Sequence, residues 1–319
     1  MKFLDIGLEK NIFADGIHDD TKALQNCLDK MKNGGTVFFP DGTYLISAAL
    51  IFYSGQNLCF SDNAVLLRSD KSEKITRYML ASYSEPDVTS YNGTHDVVIS
   101  GGIFDGNKNL QECLTIINTV HCRNITIKNC RFIHCANWHC IELNSTADSL
   151  VTDCIFDGKS YTDIRENLTS ELLQIDAPDT NTYGPVYDCD GKLIDFAMDK
   201  TPCRGITIQS NIFKCDGFPG IGHHGDYEHT DIKLCNNIFT GTSGKFGNTR
   251  GFVIFMTKTH DVDINGNAFI SEIDKNFPAA GIISMNSDKT AVTATNNAFI
   301  GNFTEYFSGG ITESENIFN

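Results

Sequence analysis

Short runs in which apolar and polar residues alternate recur along the chain. Most of them end the same way, in a small or polar residue, one spacer and then Phe. Val97–Asn107, Ile125–His134, Leu150–Gly158, Ile206–Cys215, Ile232–Gly241, Val262–Ser271 and Val292–Gly301 can be written under one another. Alternation with period two predicts a strand, and the polar residue before Phe predicts a tight turn that returns an aromatic side chain to the interior. The Phe column is Phe104, Phe132, Phe156, Phe213, Phe239, Phe269 and Phe299, at intervals of 28, 24, 57, 26, 30 and 30 residues. A strand-built repeat of that length predicts a solenoid. Two positions before each Phe stands a second column: Gly102, Cys130, Cys154, Asn211, Asn237, Asn267 and Asn297. Asn side chains stacked in register hydrogen-bond along an axis and tolerate left-handed turn backbone, so the column predicts parallel coils spaced by about 4.8 Å. Cys130 and Cys154 then read as small buried turn residues rather than metal ligands.

One segment departs from period two. Ala23, Leu24, Cys27, Leu28 and Met31 recur at helical spacing after Asp19-Asp20-Thr21, a helix-start signal, and Gly34-Gly35 stops the run. A lone amphipathic helix within residues 12–35, ahead of a strand stack, predicts a cap over the open end of the core. The expected architecture is all-β: one single-stranded parallel β-helix domain over residues 1–319 with an N-terminal α-helical cap. The 57-residue interval exceeds one coil, and no strand-turn-Phe unit lies inside it. Residues 177–203 are therefore expected to form a long loop, of the kind that is usually functional or disordered.

Composition narrows the function classes. The chain has 319 residues, 40 Asp and Glu against 25 Lys and Arg, and a formal charge of −15. That balance is unsuited to tracking phosphates, so nucleic acid is not an expected partner. No apolar run approaches the roughly 20 residues that span a bilayer, so no membrane partner is expected. Met1–Asn11 carries Lys2, Glu9 and Lys10 with no signal-peptide core. Twelve cysteines are scattered without paired spacing. Together these lead to an expectation of reduced thiols and a cytoplasmic location.

Ala14-Asp15-Gly16, Asp19 to Gln25, and Gly34-Gly35-Thr36-Val37-Phe38-Phe39-Pro40-Asp41-Gly42-Thr43-Tyr44 resemble the opening of pectate-lyase-superfamily right-handed parallel β-helix proteins. The resemblance is specific over about the first 50 residues and extends to the rest through the coil pattern. It implies a right-handed helix and a carbohydrate-active tendency. That superfamily holds polysaccharide lyases, polygalacturonase-like hydrolases, epimerases and phage tailspikes, so the fold alone does not name a reaction.

A β-helix exposes long sheets, and outward side chains on successive coils form ladders that match an extended sugar chain. Counting back from the repeat anchors gives one expected outward column of Glu142, Gln174 and His224, and a second of Asn144, Asp176 and Asp226. Carboxylates at equivalent positions on adjacent coils repel and raise one another's pKa, which suits acid catalysis. The main expectation is a glycoside hydrolase on an oligo- or polysaccharide, with Asp176, Asp226, Glu142 and His224 catalytic. Gln174, Glu171, His223, Asn144, Arg250, Lys258, Tyr183 and Tyr187 are expected to bind substrate, with His223 pointing inward by alternation. No metal and no cofactor are expected for hydrolysis. A polysaccharide lyase would instead use Ca²⁺ held by Asp176, Asp226 and Glu142, with Lys258, Arg250 or His224 as base. A third reading is a non-catalytic glycan-binding module of tailspike or adhesin type. Of the motifs along the polygalacturonase sheet, Gly222-His223-His224-Gly225 echoes Gly-His-Gly, while the Asn-Thr-Asp, Asp-Asp and Arg-Ile-Lys motifs find no match, which puts pectin in doubt as the substrate. Asn316-Ile317-Phe318 repeats the turn signature, so a partial last coil could be shielded in a homodimer or trimer.

Overall fold

A computed structural model describes residues 2–71, 77–110, 113–136, 138–160, 170–179, 184–215, 218–223, 227–242, 252–271, 279–285 and 291–319. The chain winds through three parallel sheets in turn. Among the described residues the first has eleven strands, from Phe3–Asp5 to Thr312–Ser314. The second also has eleven, from Asp15–Asp19 to Ile317–Phe318. The third has nine, from Leu50–Phe52 to Phe303–Gly309. Each strand pairs with its equivalent one coil before and one coil after, so the expected parallel β-helix is the observed fold. No helix among the described residues is long and apolar enough to cross a membrane.

The Phe column is the spine of the core. Phe60, Phe104, Phe132, Phe156, Phe213, Phe239, Phe269, Phe299 and Phe318 form a continuous run of neighbouring rings with centroids 4.3–5.7 Å apart. From Phe104 to Phe299 every ring is fully buried. Offset stacking adds to the burial of each ring, and the spacing matches the coil rise, so one residue type repeated at one register serves both.

The second column closes the corner between the first and second sheets. Asn211 Nδ2 donates to Asn237 Oδ1 at 3.0 Å, Asn237 to Asn267 at 3.0 Å, Asn267 to Asn297 at 3.0 Å and Asn297 to Asn316 at 3.1 Å. Each Oδ1 also accepts the backbone N–H of the residue one coil earlier, and each Nδ2 reaches a carbonyl there as well. In the two earlier coils the thiols of Cys130 and Cys154 donate to the matching carbonyls, Ile99 O and Ile127 O, both at 3.8 Å. The left-handed backbone expected at the Asn positions sits one residue earlier, at Ser210, Asn236, Gly266, Asn296 and Glu315. The ladder residue needs its side chain aimed along the axis, so its predecessor makes the turn.

The helix Thr21–Lys30 buries Leu24, Cys27 and Leu28 against the first coil. Gln25 makes it a cap for the sheet as well. Its Oε1 accepts from Ile51 N at 2.8 Å and its Nε2 donates to Ile51 O at 3.1 Å, which satisfies the open edge of the third sheet. The Asp20 side chain does not cap the helix; it accepts from Phe13 N and Ala14 N instead.

Phe156 pairs directly with Phe213, and Thr152 with Gln209, so residues 177–203 add no coil to the first two sheets. The described part of that segment carries a two-residue antiparallel pair, Val186–Tyr187 with Leu193–Ile194.

Replacing Asn237 with Ala removes a buried amide that makes four hydrogen bonds, and it should cost about 3 kcal/mol of unfolding free energy by urea denaturation, whereas Asn316→Ala at the last coil should cost about 1 kcal/mol or less. Equal costs at the two positions would contradict the ladder as an interior support.

Candidate functional site

The candidate wall lies on the third sheet. Glu142 pairs with Gln174 and Asn144 with Asp176, the expected neighbours. Side-chain bonds confirm that each pair within a strand shares a face: Asn144 Nδ2 donates to Glu142 Oε1 at 3.0 Å, and Gln174 Nε2 to Asp176 Oδ2 at 2.9 Å. On the next coil the register differs from expectation. Gly222, not His224, lies opposite Gln174, and His223 lies opposite Ile175. The corner leading to the first sheet is longer there. Five positions separate Glu142 from Ala147, and eight separate Gly222 from Thr230 at the equivalent place. Lys233 rather than Ile232 is the register equivalent of Leu150, so counting back eight places from Leu150 and Ile232 put the strand two residues late, three for the corner less one for the anchor. His224 and Asp226, together with Arg250 and Tyr183, lie outside the described residues.

The second correction concerns exposure. Glu142 is 4% exposed, Gln174 6%, Glu171 1%, and Asn144 and Asp176 are fully buried. The expected open wall is not observed: its polar side chains are buried, and the described chain after Asp176 returns along the outer side of the same sheet, on the coils that precede them. Val186, Ile194 and Phe196 pack with Ala49, Ile51, Tyr78, Ala81 and Val120 in an apolar cluster on the outer side of the sheet. Tyr78 Oη donates to Gly184 O at 3.2 Å and Ser145 Oγ to Thr201 O at 2.6 Å, while the Cys203 thiol, on the core side, donates to Asp176 O at 3.3 Å. Glu171 fills the space that Gly222 leaves: a Cβ at Gly222 would stand 2.4 Å from the Glu171 side chain. Tyr187 is half-buried in the short antiparallel pair, and Lys258 is exposed in the turn after Phe252–Met256, with φ of 39°.

Burial makes these acids expensive to ionise. It pushes the Glu142 carboxyl above the ordinary carboxylate range, against opposing hydrogen bonds from Asn144, Thr115 and Asn118. Asp179, 6% exposed, accepts from Tyr227 Oη, and His139 Nδ1 lies 2.8 Å from Glu171 O.

Sequence reasoning missed His229. Asp176, His223 and His229 each offer an atom within 4.8 Å of the others, and all three are buried. The spacing suits a metal ion, but the protons do not. Cys203 N donates to His229 Nδ1 at 2.8 Å, which puts the ring proton of neutral His229 on Nε2. His223 Nδ1 faces Ile175 O at 3.1 Å and so carries its own proton, leaving Nε2 as the lone-pair atom. The cluster presents a carboxylate, one lone pair and one N–H, so only two of its three facing groups have a lone pair for a metal ion. Desolvation, and next the nearby His223, hold the His229 pKa well below its usual value. A His two places before the anchor strand's Asp231 carries no sequence signal by itself, because the long corner hides its approach to Asp176.

A separate open cleft of about 570 Å³ lies where the third sheet turns into the first, at the helix-capped end. It is lined by Tyr53, Tyr83, Ser84, Glu85, Asn92 and Thr94, among others, and was not anticipated from the sequence.

The family described as rhamnogalacturonase A/epimerase, pectate lyase-like, matches residues 8–167, half of the chain, and the chain belongs to it. It is 26% identical over 290 residues to plasmin and fibronectin-binding protein A of Streptococcus pneumoniae (strain ATCC BAA-255 / R6), covering 82% of this chain and 38% of that protein. The chain thus spans well under half the length of this curated relative. The crystal structure of PfbA, a surface adhesin of S. pneumoniae, superposes with a TM-score of 0.77 at 22% identity, over 100% of this chain and 79% of that one. A hyperthermoactive exopolygalacturonase from Thermotoga maritima superposes with a TM-score of 0.56 at 11% identity, over 100% of this chain and 92% of that one. Both superpositions show a shared fold.

Two predictions follow from the burial. A group whose folded pKa is raised stabilises only below its unfolded pKa, so charged Glu142 opposes folding at neutral pH. Glu142→Gln should raise the melting temperature at pH 7–8, and the gain should vanish near pH 4, where both states are protonated. His229 has the opposite effect. The unfolded imidazole takes up a proton below about pH 6.5 and the folded one does not. Stability should therefore fall as pH drops through that value, and His229→Asn, which keeps an acceptor for Cys203 N–H, should flatten the urea midpoint between pH 8 and 5.

Proposed function

We propose that the chain is a non-catalytic glycan-binding module of the adhesin kind. The observation that carries this reading is the burial of Glu142 and Asp176, at 4% and 0% exposure. Hydrolysis needs a carboxyl within hydrogen-bond reach of the glycosidic oxygen and a second one beside it. Neither described carboxylate of the wall has that access. The likeness to a pneumococcal protein named for binding plasmin and fibronectin, and to a surface adhesin, supports binding over turnover. A role at a surface replaces the cytoplasmic expectation in this reading.

Glycoside hydrolysis is the second reading. It is favoured by the raised pKa of Glu142 beside Gln174 and Asp176, the arrangement a general acid uses, and by the fold shared with an exopolygalacturonase.

The deciding experiment incubates the protein with a panel of neutral and uronate glycans and with immobilised plasmin and fibronectin, with and without Ca²⁺. Retention on glycans with no new reducing ends and no unsaturated product is the expected result. Turnover that disappears in Asp176→Asn would establish an enzyme. Retention on plasmin or fibronectin that persists after their glycans are removed, with no glycan binding, would replace the glycan by a protein surface.

A further inference from the structure

We infer that the cleft over Tyr53 and Tyr83 is a binding site for a neutral pyranose; this rests on the binding-module reading and names its site. Phe52 and Ser82 are register partners on adjacent coils of the third sheet, so the residues that follow them, Tyr53 and Tyr83, leave the sheet at equivalent positions. Tyr83 N continues the ladder to Phe52 O at 2.9 Å. The two rings lie 5.2 Å apart, tilted by 38°, and both are half-buried.

Their hydroxyls are already engaged. Tyr53 Oη donates to Asp29 Oδ1 at 2.8 Å, reaching the cap helix, and Tyr83 Oη donates to Glu85 Oε1 at 2.9 Å. With both hydroxyls tied, the ring surfaces that line the cleft are fixed in advance. A sugar ring has an apolar face of C–H groups that packs on such a platform, and hydroxyls around its edge that need partners.

The cleft supplies those partners. Ser84 is 5% exposed, and its Oγ has no hydrogen-bond partner, although it sits in the cleft wall. A buried hydroxyl left unpaired costs about 1–3 kcal/mol, and a ligand hydroxyl would relieve it. Ser54 Oγ accepts from His95 N at 3.0 Å and still has its own proton to donate. Asn92 Nδ2 is committed to Thr89 O at 3.1 Å, which leaves its Oδ1 as an acceptor. Asn33 also lines the cleft. The floor is held close by Gly93, whose N–H donates to His121 O at 2.8 Å; a Cβ there would stand 2.8 Å from that same oxygen. The volume of about 570 Å³ falls within the range of small-molecule sites.

Charge selects among sugars. Lys32 and His95 line the cleft, but Glu85 does too, Asp29 holds one of the rings, and the chain carries −15 overall. A uronate would enter against that field, and a neutral sugar would not.

The test titrates the protein calorimetrically with methyl glucoside, methyl galactoside, methyl mannoside, lactose and trigalacturonate, with circular dichroism confirming that each variant is folded. At least one neutral sugar should bind. Tyr83→Ala should weaken it by about tenfold, the scale of one lost aromatic contact. Tyr83→Phe, which keeps the ring, should stay within about threefold, and Ser84→Val should weaken binding as Tyr83→Ala does. Neutral-sugar binding that is unchanged in both Tyr83→Ala and Ser84→Val would place the site elsewhere and leave the module reading standing. Tighter binding of trigalacturonate than of every neutral sugar would overturn the ligand class. If no glycan binds the unaltered protein here or across the wider panel, the module reading falls together with the site.

Discussion

The structure depends on register between identical positions of successive coils. A parallel coil places each residue about 4.8 Å from its equivalent, so any side chain that bonds well to its own kind at that distance is repeated and reinforced. Phe does this in the core through stacked faces, and Asn does it at the corner through amide bonds that also satisfy the backbone of the turn. The two cysteines that replace Asn keep the bond to the carbonyl one coil earlier but offer no amide acceptor, so the ladder proper begins at Asn211. Everything on the outer face inherits its neighbours from this inner register.

The same constraint explains why Glu142, Gln174, Asn144 and Asp176 come together. Strand pairing fixes who stands beside whom; it does not decide what lies over them. In the described part of the 177–203 segment, Val186, Ile194 and Phe196 pack on the outer face of the sheet against Ile51, Ala81 and Val120. Glu171 completes the closure over Gly222. The polar groups of this sheet are thus brought together by pairing and held under cover. The open cleft lies instead at the corner beside the cap helix, lined by two half-buried tyrosines on neighbouring coils.

The sequence made the repeating parts legible, and for a physical reason. The Phe column marks every coil from Phe104 to Phe299, and Asn marks its companion column from Asn211 onward, because identical side chains at identical positions pack and bond well along the coil. The pairing of Glu142 with Gln174 and of Asn144 with Asp176 could be reached from them by alternation. The register of His223 could not, because the corner before Thr230 is three residues longer than the one before Ala147, and a corner's length leaves no periodic trace. Burial was equally hidden: residues 177–203 have no period, so nothing announced that the described part from residue 184 runs along the outer face of this sheet. Tyr53 and Tyr83 escaped notice because they lie just past strand ends in the first coils, outside the strand-turn-Phe unit used for alignment. Gln25 escaped for a related reason, since its role as edge partner to Ile51 shows only once helix and sheet are placed together.

The central claim is that this chain holds sugar at a fixed aromatic corner and keeps its carboxylates out of reach. A crystal structure of the protein soaked with a neutral oligosaccharide tests it most directly. The account predicts sugar density packed on the Tyr53 and Tyr83 rings with a hydroxyl on Ser84 Oγ, and the Glu142 and Asp176 carboxylates still covered. Density lying along the third sheet with a glycosidic oxygen against Glu142 or Asp176, and residues 184–203 displaced, would contradict it.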